Sequence, residues 1–60
     1  MLQVKIEHIK DRGYYWTVKD SWVIMEQDNY STDIHSCEEN WKNTVEEFGI
    51  TKDYEVKVSD

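Results

Sequence analysis

Apolar and polar residues alternate from the second position onward. Leu2, Val4 and Ile6 are separated by Gln3, Lys5 and Glu7, the period-two pattern of a strand with one buried face. Lys10-Asp11-Arg12-Gly13 is polar and closes on glycine, which predicts a hairpin turn. Residues 14–19 then form a second strand rich in aromatic and β-branched side chains. Asp20-Ser21 turns the chain again, and Trp22-Val23-Ile24-Met25 reads as a third strand antiparallel to the second. Asp28-Asn29 is a further turn, and residues 30–34 add a fourth strand or cross over to a helix.

The period changes from two to 3.6 at the next segment. Cys37, Trp41, Thr44, Val45 and Phe48 fall at i, i+4, i+7, i+8 and i+11, a single apolar stripe on a helix. Ser36 and Glu39 stand three residues apart and predict a capping box with Ser36 at the N-cap. Gly49 is placed to end the helix as a left-handed C′ residue. After Thr51-Lys52-Asp53, Tyr54, Val56 and Val58 alternate with Glu55 and Lys57 as a last strand.

The expectation is an α+β fold over residues 1–60: a small antiparallel sheet of three to five strands, one α-helix packed on one face, in the order β-β-β-(β)-α-β. The helix-covered face would hold Leu2, Val4, Ile6, Trp16, Val18, Trp22, Ile24, Val56 and Val58. Trp41 and Phe48 would pack on it from the helix. The other face would leave Ile9, Tyr15, Val23 and Met25 uncovered among Lys5, Lys19 and Lys57. Apolar side chains on an open sheet face mark an association surface, so these four predict a weak homodimer.

Length limits what such a core can do. A chain of 60 residues buries only about 60% of the surface its unfolded form exposes. Cys37 is the single cysteine, so no disulfide within the chain can compensate, and a lone thiol suits a reducing, cytoplasmic setting. Met1 leads straight into the alternating strand without a charged and apolar leader. No apolar run approaches the roughly 20 residues of a membrane span, so neither export nor a membrane partner is expected.

Charge narrows the functional classes further. The net charge of −6 is uneven. Residues 1–25 carry four cations against three acids, and residues 26–60 carry three against ten. Direct nucleic-acid binding is disfavoured, because that affinity rests on Lys and Arg neutralising phosphates. Alanine and proline are absent and arginine occurs once, a bias that suits an AT-rich phage or low-GC bacterial gene.

Candidate chemistry is sparse. His35-Ser36-Cys37-Glu38 is the one cluster of ligand-type residues, and without a second pair it does not predict a structural metal site. Cys37 begins the helical stripe and reads as a small buried apolar residue. With only Gly13 and Gly49, the chain has no glycine-rich phosphate loop, and it has no nucleophile motif. The adjacent pairs Glu38-Glu39 and Glu46-Glu47 diverge by about 100° on a helix and form no acid–base dyad. Neither catalysis nor a cofactor is expected.

The helix surface is more telling. Glu38, Glu39, Glu46 and Glu47 project outward around Lys42, with Asp33 nearby. Such a row of carboxylates imitates phosphates, and Tyr30 is the candidate apolar anchor beside it. The expected function is a small acidic inhibitor, a DNA mimic or decoy of phage or mobile-element type. It would occupy a basic nucleic-acid-binding site on a host enzyme or defence complex, in the host cytoplasm. The alternative is an antitoxin-like or structural module acting through the apolar sheet face; a weak nucleic-acid binder using Lys5, Lys19, Tyr15 and Lys57 ranks third. The order of elements is similar to the partial double-stranded-RNA-binding fold of HicB-type antitoxins. In size and acidity the chain resembles small phage proteins that block host nucleases, glycosylases or defence complexes.

Overall fold

Four strands and one helix form in the computed structural model, which describes residues 1–21 and 24–59. They are β1 (Leu2–Ile9), β2 (Gly13–Lys19), β3 (Ile24–Glu26), α1 (Ile34–Glu47) and β4 (Tyr54–Ser59). The α+β class and the single helix agree with the sequence pattern. The sheet runs β3-β2-β1-β4 and is mixed, because β4 pairs with β1 in parallel while the other pairings are antiparallel.

The first hairpin forms where the polar turn predicts it. Arg12 N donates to the Ile9 carbonyl at 3.0 Å, closing the turn, and Asp11 takes a positive φ of 65°, which a short polar side chain tolerates. Gly13 has φ 122°, and a Cβ there would lie 2.2 Å from the Ser31 carbonyl oxygen. That contact exists because Ser31 and Tyr14 exchange two backbone hydrogen bonds, of 2.8 and 2.9 Å. The extended piece expected at residues 30–34 is therefore one isolated bridge, with the helix already under way at Ile34.

Gln27 takes over where β3 stops. Its backbone N–H donates to the Trp16 carbonyl at 3.2 Å. Its side-chain Oε1 accepts from Trp16 N at 3.1 Å, and its Nε2 donates to Ser31 Oγ at 2.7 Å. One buried amide thus stands in for a strand carbonyl while the chain loops away from β2 and returns.

The helix starts earlier than the capping box predicted. Asp33 is the N-cap: its carboxylate accepts from Ser36 N at 2.7 Å, which makes Ser36 the third helical residue. Two overlapping three-residue spacings, Asp33–Ser36 and Ser36–Glu39, were available, and the Ser31 bridge brings the chain in at the first. At the other end Gly49 has φ 72°. Gly49 N donates to the Glu46 carbonyl and Ile50 N to the Val45 carbonyl, the two bonds of a Schellman motif.

The core is Leu2, Val4, Ile6, Trp16, Val18, Cys37 and Trp41, with Tyr14, Met25, Val45 and Ile50 packed at its border. Trp16 Nε1 donates to Asn40 Oδ1 at 2.8 Å, which fixes the helix over β2. Two expected core positions, Phe48 and Ile24, are corrected. Phe48 is 67% exposed, because the Schellman turn carries Ile50, not Phe48, back onto Val45. Ile24 is 72% exposed while Met25 faces the helix. Lys19 pairs with Ile24 and Val18 with Met25, and cross-strand partners share a face. Trp22 and Val23, read as part of the third strand, lie outside the described residues.

Candidate functional site

Three surfaces follow from this arrangement. The first is the outward side of α1, where Glu39, Glu46 and Glu47 are exposed and Glu38 is half-exposed. Lys42 approaches Glu38 at 3.9 Å and His35 approaches Glu39 at 3.7 Å, both as exposed i,i+4 pairs. Glu46 and Glu47 sit at the helix C-terminus, where the last turn holds no basic residue. The helix dipole is negative there, so the acidic field is strongest toward that end. Asp33 lies beyond the other end, and its carboxyl is held below the usual range by the Ser36 backbone N–H it caps.

Tyr30 packs toward the β1–β2 hairpin. Its ring lies 5.4 Å from that of Tyr15, with the Arg12 guanidinium 5.8 Å from its centroid. Phe48, next in the chain to Glu47, is the exposed apolar side chain closest in sequence to the helix acids, and the apolar stripe misassigned it to the core.

The second surface is the sheet face away from the helix. It is an open trough of about 450 Å³, in which Lys5, Lys19 and Lys57 alternate with Glu7, Glu26 and Glu55. Lys5 Nζ lies 3.6 Å from Glu7. The apolar face expected from Ile9, Tyr15, Val23 and Met25 is corrected accordingly. Ile9 and Tyr15 are half-buried toward one end of this face, Met25 belongs to the helix side, and Val23 lies outside the described residues. Burial, with Glu26 beside it, pushes the Tyr15 hydroxyl above its ordinary value.

The third surface was not anticipated. Tyr54, Val56 and Val58 pair with Leu2, Val4 and Ile6 and so share the helix side of the sheet, yet they are 51, 37 and 52% exposed. The helix packs chiefly over β2 and reaches β4 only at Trp41 and Tyr54. Beside them a shallow groove of about 260 Å³ runs between Trp41, Val45, Ile50 and Tyr54, and the Trp41 ring meets Tyr54 edge-on at 5.0 Å. No sequence signal marks this, because which strand ends at the sheet edge depends on long-range pairing.

Cys37 is buried and donates weakly to Gln27 Oε1 at 3.7 Å, and burial raises its thiol above the ordinary value. It is a packing residue with no thiolate character at neutral pH. Among the described residues no three His, Cys, Asp or Glu side chains converge into a metal-binding group, and no helix is long and apolar enough to cross a membrane. Comparison with protein-family models, curated proteins and solved structures returned no match.

Proposed function

We propose that this chain is a small acidic binding protein that occupies a basic, nucleic-acid-binding surface of another protein. It acts as a decoy for phosphate, in the reducing cytoplasm of the cell it works in. The observation that carries the reading is the outward row Glu38, Glu39, Glu46 and Glu47 on one rigid helix, with Lys42 as the lone cation among them. Carboxylates fixed on a helix steer a basic partner and set its register, while a buried apolar contact governs residence time. Phe48, exposed beside Glu47, takes the anchoring role in place of Tyr30.

The reading is tested by immobilising the wild-type chain and the variant E38K/E39K/E46K/E47K and passing bacterial lysate over both. The wild type should retain a nucleic-acid-binding protein that the variant does not. Added DNA should displace that protein, and its affinity should fall steeply as salt rises. Equal retention by both chains, with unchanged circular dichroism, would remove the decoy reading. A second reading, an interaction module with an apolar sheet surface, is favoured by the exposed row Tyr54, Val56 and Val58 rather than by the face first expected.

A further inference from the structure

β4 is an edge strand of an unusual kind. All six of its residues are exposed, one side of its backbone is bonded to β1, and among the described residues the other side has no neighbouring strand in the sheet order. The opposite edge, β3, is three residues long. Long edges are templates for further pairing unless blunted by proline, bulges or like charges, and β4 carries no proline and only one charge of each sign, Glu55 and Lys57.

We propose that the occupant of this edge is a second copy of the chain, paired β4 to β4 in antiparallel fashion with Val56 opposite Val56. The charge pattern selects this register. A two-fold axis normal to the sheet allows only registers centred on a residue, since directly opposed residues must point to the same face. Centred on Val56, Glu55 faces Lys57 of the second copy, and the reverse pair repeats it across the axis. On the helix side Tyr54 faces Val58 of the second copy, twice, an aromatic against a β-branched side chain. Centring on Glu55 opposes glutamate to glutamate, and centring on Lys57 opposes lysine to lysine. The strand Tyr54-Glu55-Val56-Lys57-Val58 is thus complementary to itself in one register.

The product is a continuous eight-stranded sheet with both helices on one side and the two rows of Tyr54, Val56 and Val58 adjoining between them. A six-residue strand pair is small beside the roughly 1,200–2,000 Å² of standard interfaces, so the dimer is weak, forming in the micromolar range or above. It does not depend on the acidic face, and its test is independent of any decoy target.

The test is a charge exchange read by sedimentation equilibrium. The wild-type mass should rise from 7.3 kDa toward twice that value with concentration. E55K alone opposes lysine to lysine and K57E alone opposes glutamate to glutamate, so each should remain monomeric. Mixed in equal amounts, the two variants should form the dimer again. Both lysines of the E55K strand then lie opposite the two glutamates of the K57E strand. Within one chain the substituted side chains sit beside Gln3 and Lys5 of β1, so both variants should keep the wild-type circular dichroism spectrum. A wild type that stays at 7.3 kDa up to millimolar concentration overturns the proposal. So does a dimer that survives both single reversals, or a mixture of the two variants that stays monomeric.

Discussion

Replacing Gln27 by leucine isolates the cost of one buried hydrogen-bond acceptor. Gln27 is 7% exposed, and its Oε1 is the acceptor of the Trp16 backbone N–H. Leucine has a similar volume, so the cavity contribution is small, and the loss is that of a buried amide left without a partner. Such a group costs about 1–3 kcal/mol. A domain of this length has a total stability of roughly 3–9 kcal/mol, so the change takes a large fraction of it. At about 4–8 °C per kcal/mol for small domains, the melting temperature should fall by roughly 5–20 °C. Tryptophan fluorescence follows the transition directly, since Trp16 is at the affected site. Gln27→Glu is the companion: it keeps the acceptor but buries a charge. Burial would raise the folded-state pKa above the unfolded value, so the deficit relative to wild type is full at neutral pH. It should shrink as the pH is lowered toward the unfolded carboxyl value, near about 4. A Gln27→Leu protein that melts within about 2 °C of wild type would falsify the assignment of Gln27 as a structural carbonyl substitute.

The helix start and the two glycines provide further checks. Asp33→Ala should lower the melting temperature by about 5 °C through loss of the cap, and Ser36→Ala by much less. Asp33 and Asp20 are both held below their ordinary values, by the Ser36 N–H and by Lys52 respectively. A depressed folded-state pKa gives stability that is present above the unfolded value and lost as pH falls through the folded one. The urea midpoint of the wild type should therefore drop below about pH 4, and that of the variant D20N/D33N less steeply. Gly13→Ala meets both a positive φ and the Ser31 carbonyl, and should cost at least about 3 kcal/mol. Gly49→Ala has open space around it, and should cost only about 1–2 kcal/mol, the left-handed penalty alone.

The parts legible in the sequence were those set by neighbours along the chain. The alternation of Leu2, Val4 and Ile6 became the buried side of β1, the glycine at position 13 closed the first hairpin, and Gly49 ended the helix. The glutamates of the helix surface were also legible, because their spacing around Cys37 and Trp41 determines that they point outward. Long-range choices were not. The parity of β3 depends on how many residues link Lys19 to Ile24, and a change of one exchanges Ile24 with Met25. Phe48 fits the helical stripe as well as any residue in it, yet the tertiary turn at Gly49 lets Ile50 take its place. The exposed row on β4 follows from the last strand pairing with the first and lying at the edge, which no local pattern encodes.

That pairing also governs the order in which the molecule comes together. Leu2 and Tyr54, aligned in the β1–β4 ladder, are about fifty positions apart, whereas the β1–β2 hairpin closes over a turn of a few residues. With loop-closure entropy growing as about 1.5RT times the logarithm of loop length, the β1–β4 contact costs roughly 2 kcal/mol more to initiate than the hairpin. The three-stranded meander and the helix are assembled from local contacts, so they can form while β1 still has an open flank. Completion waits for the final strand, on the ribosome as in refolding. A chain of this size dominated by such a closure is expected to fold in milliseconds rather than microseconds, with the β1 amides that face β2 protected from exchange early and those that face β4 protected only when β4 docks.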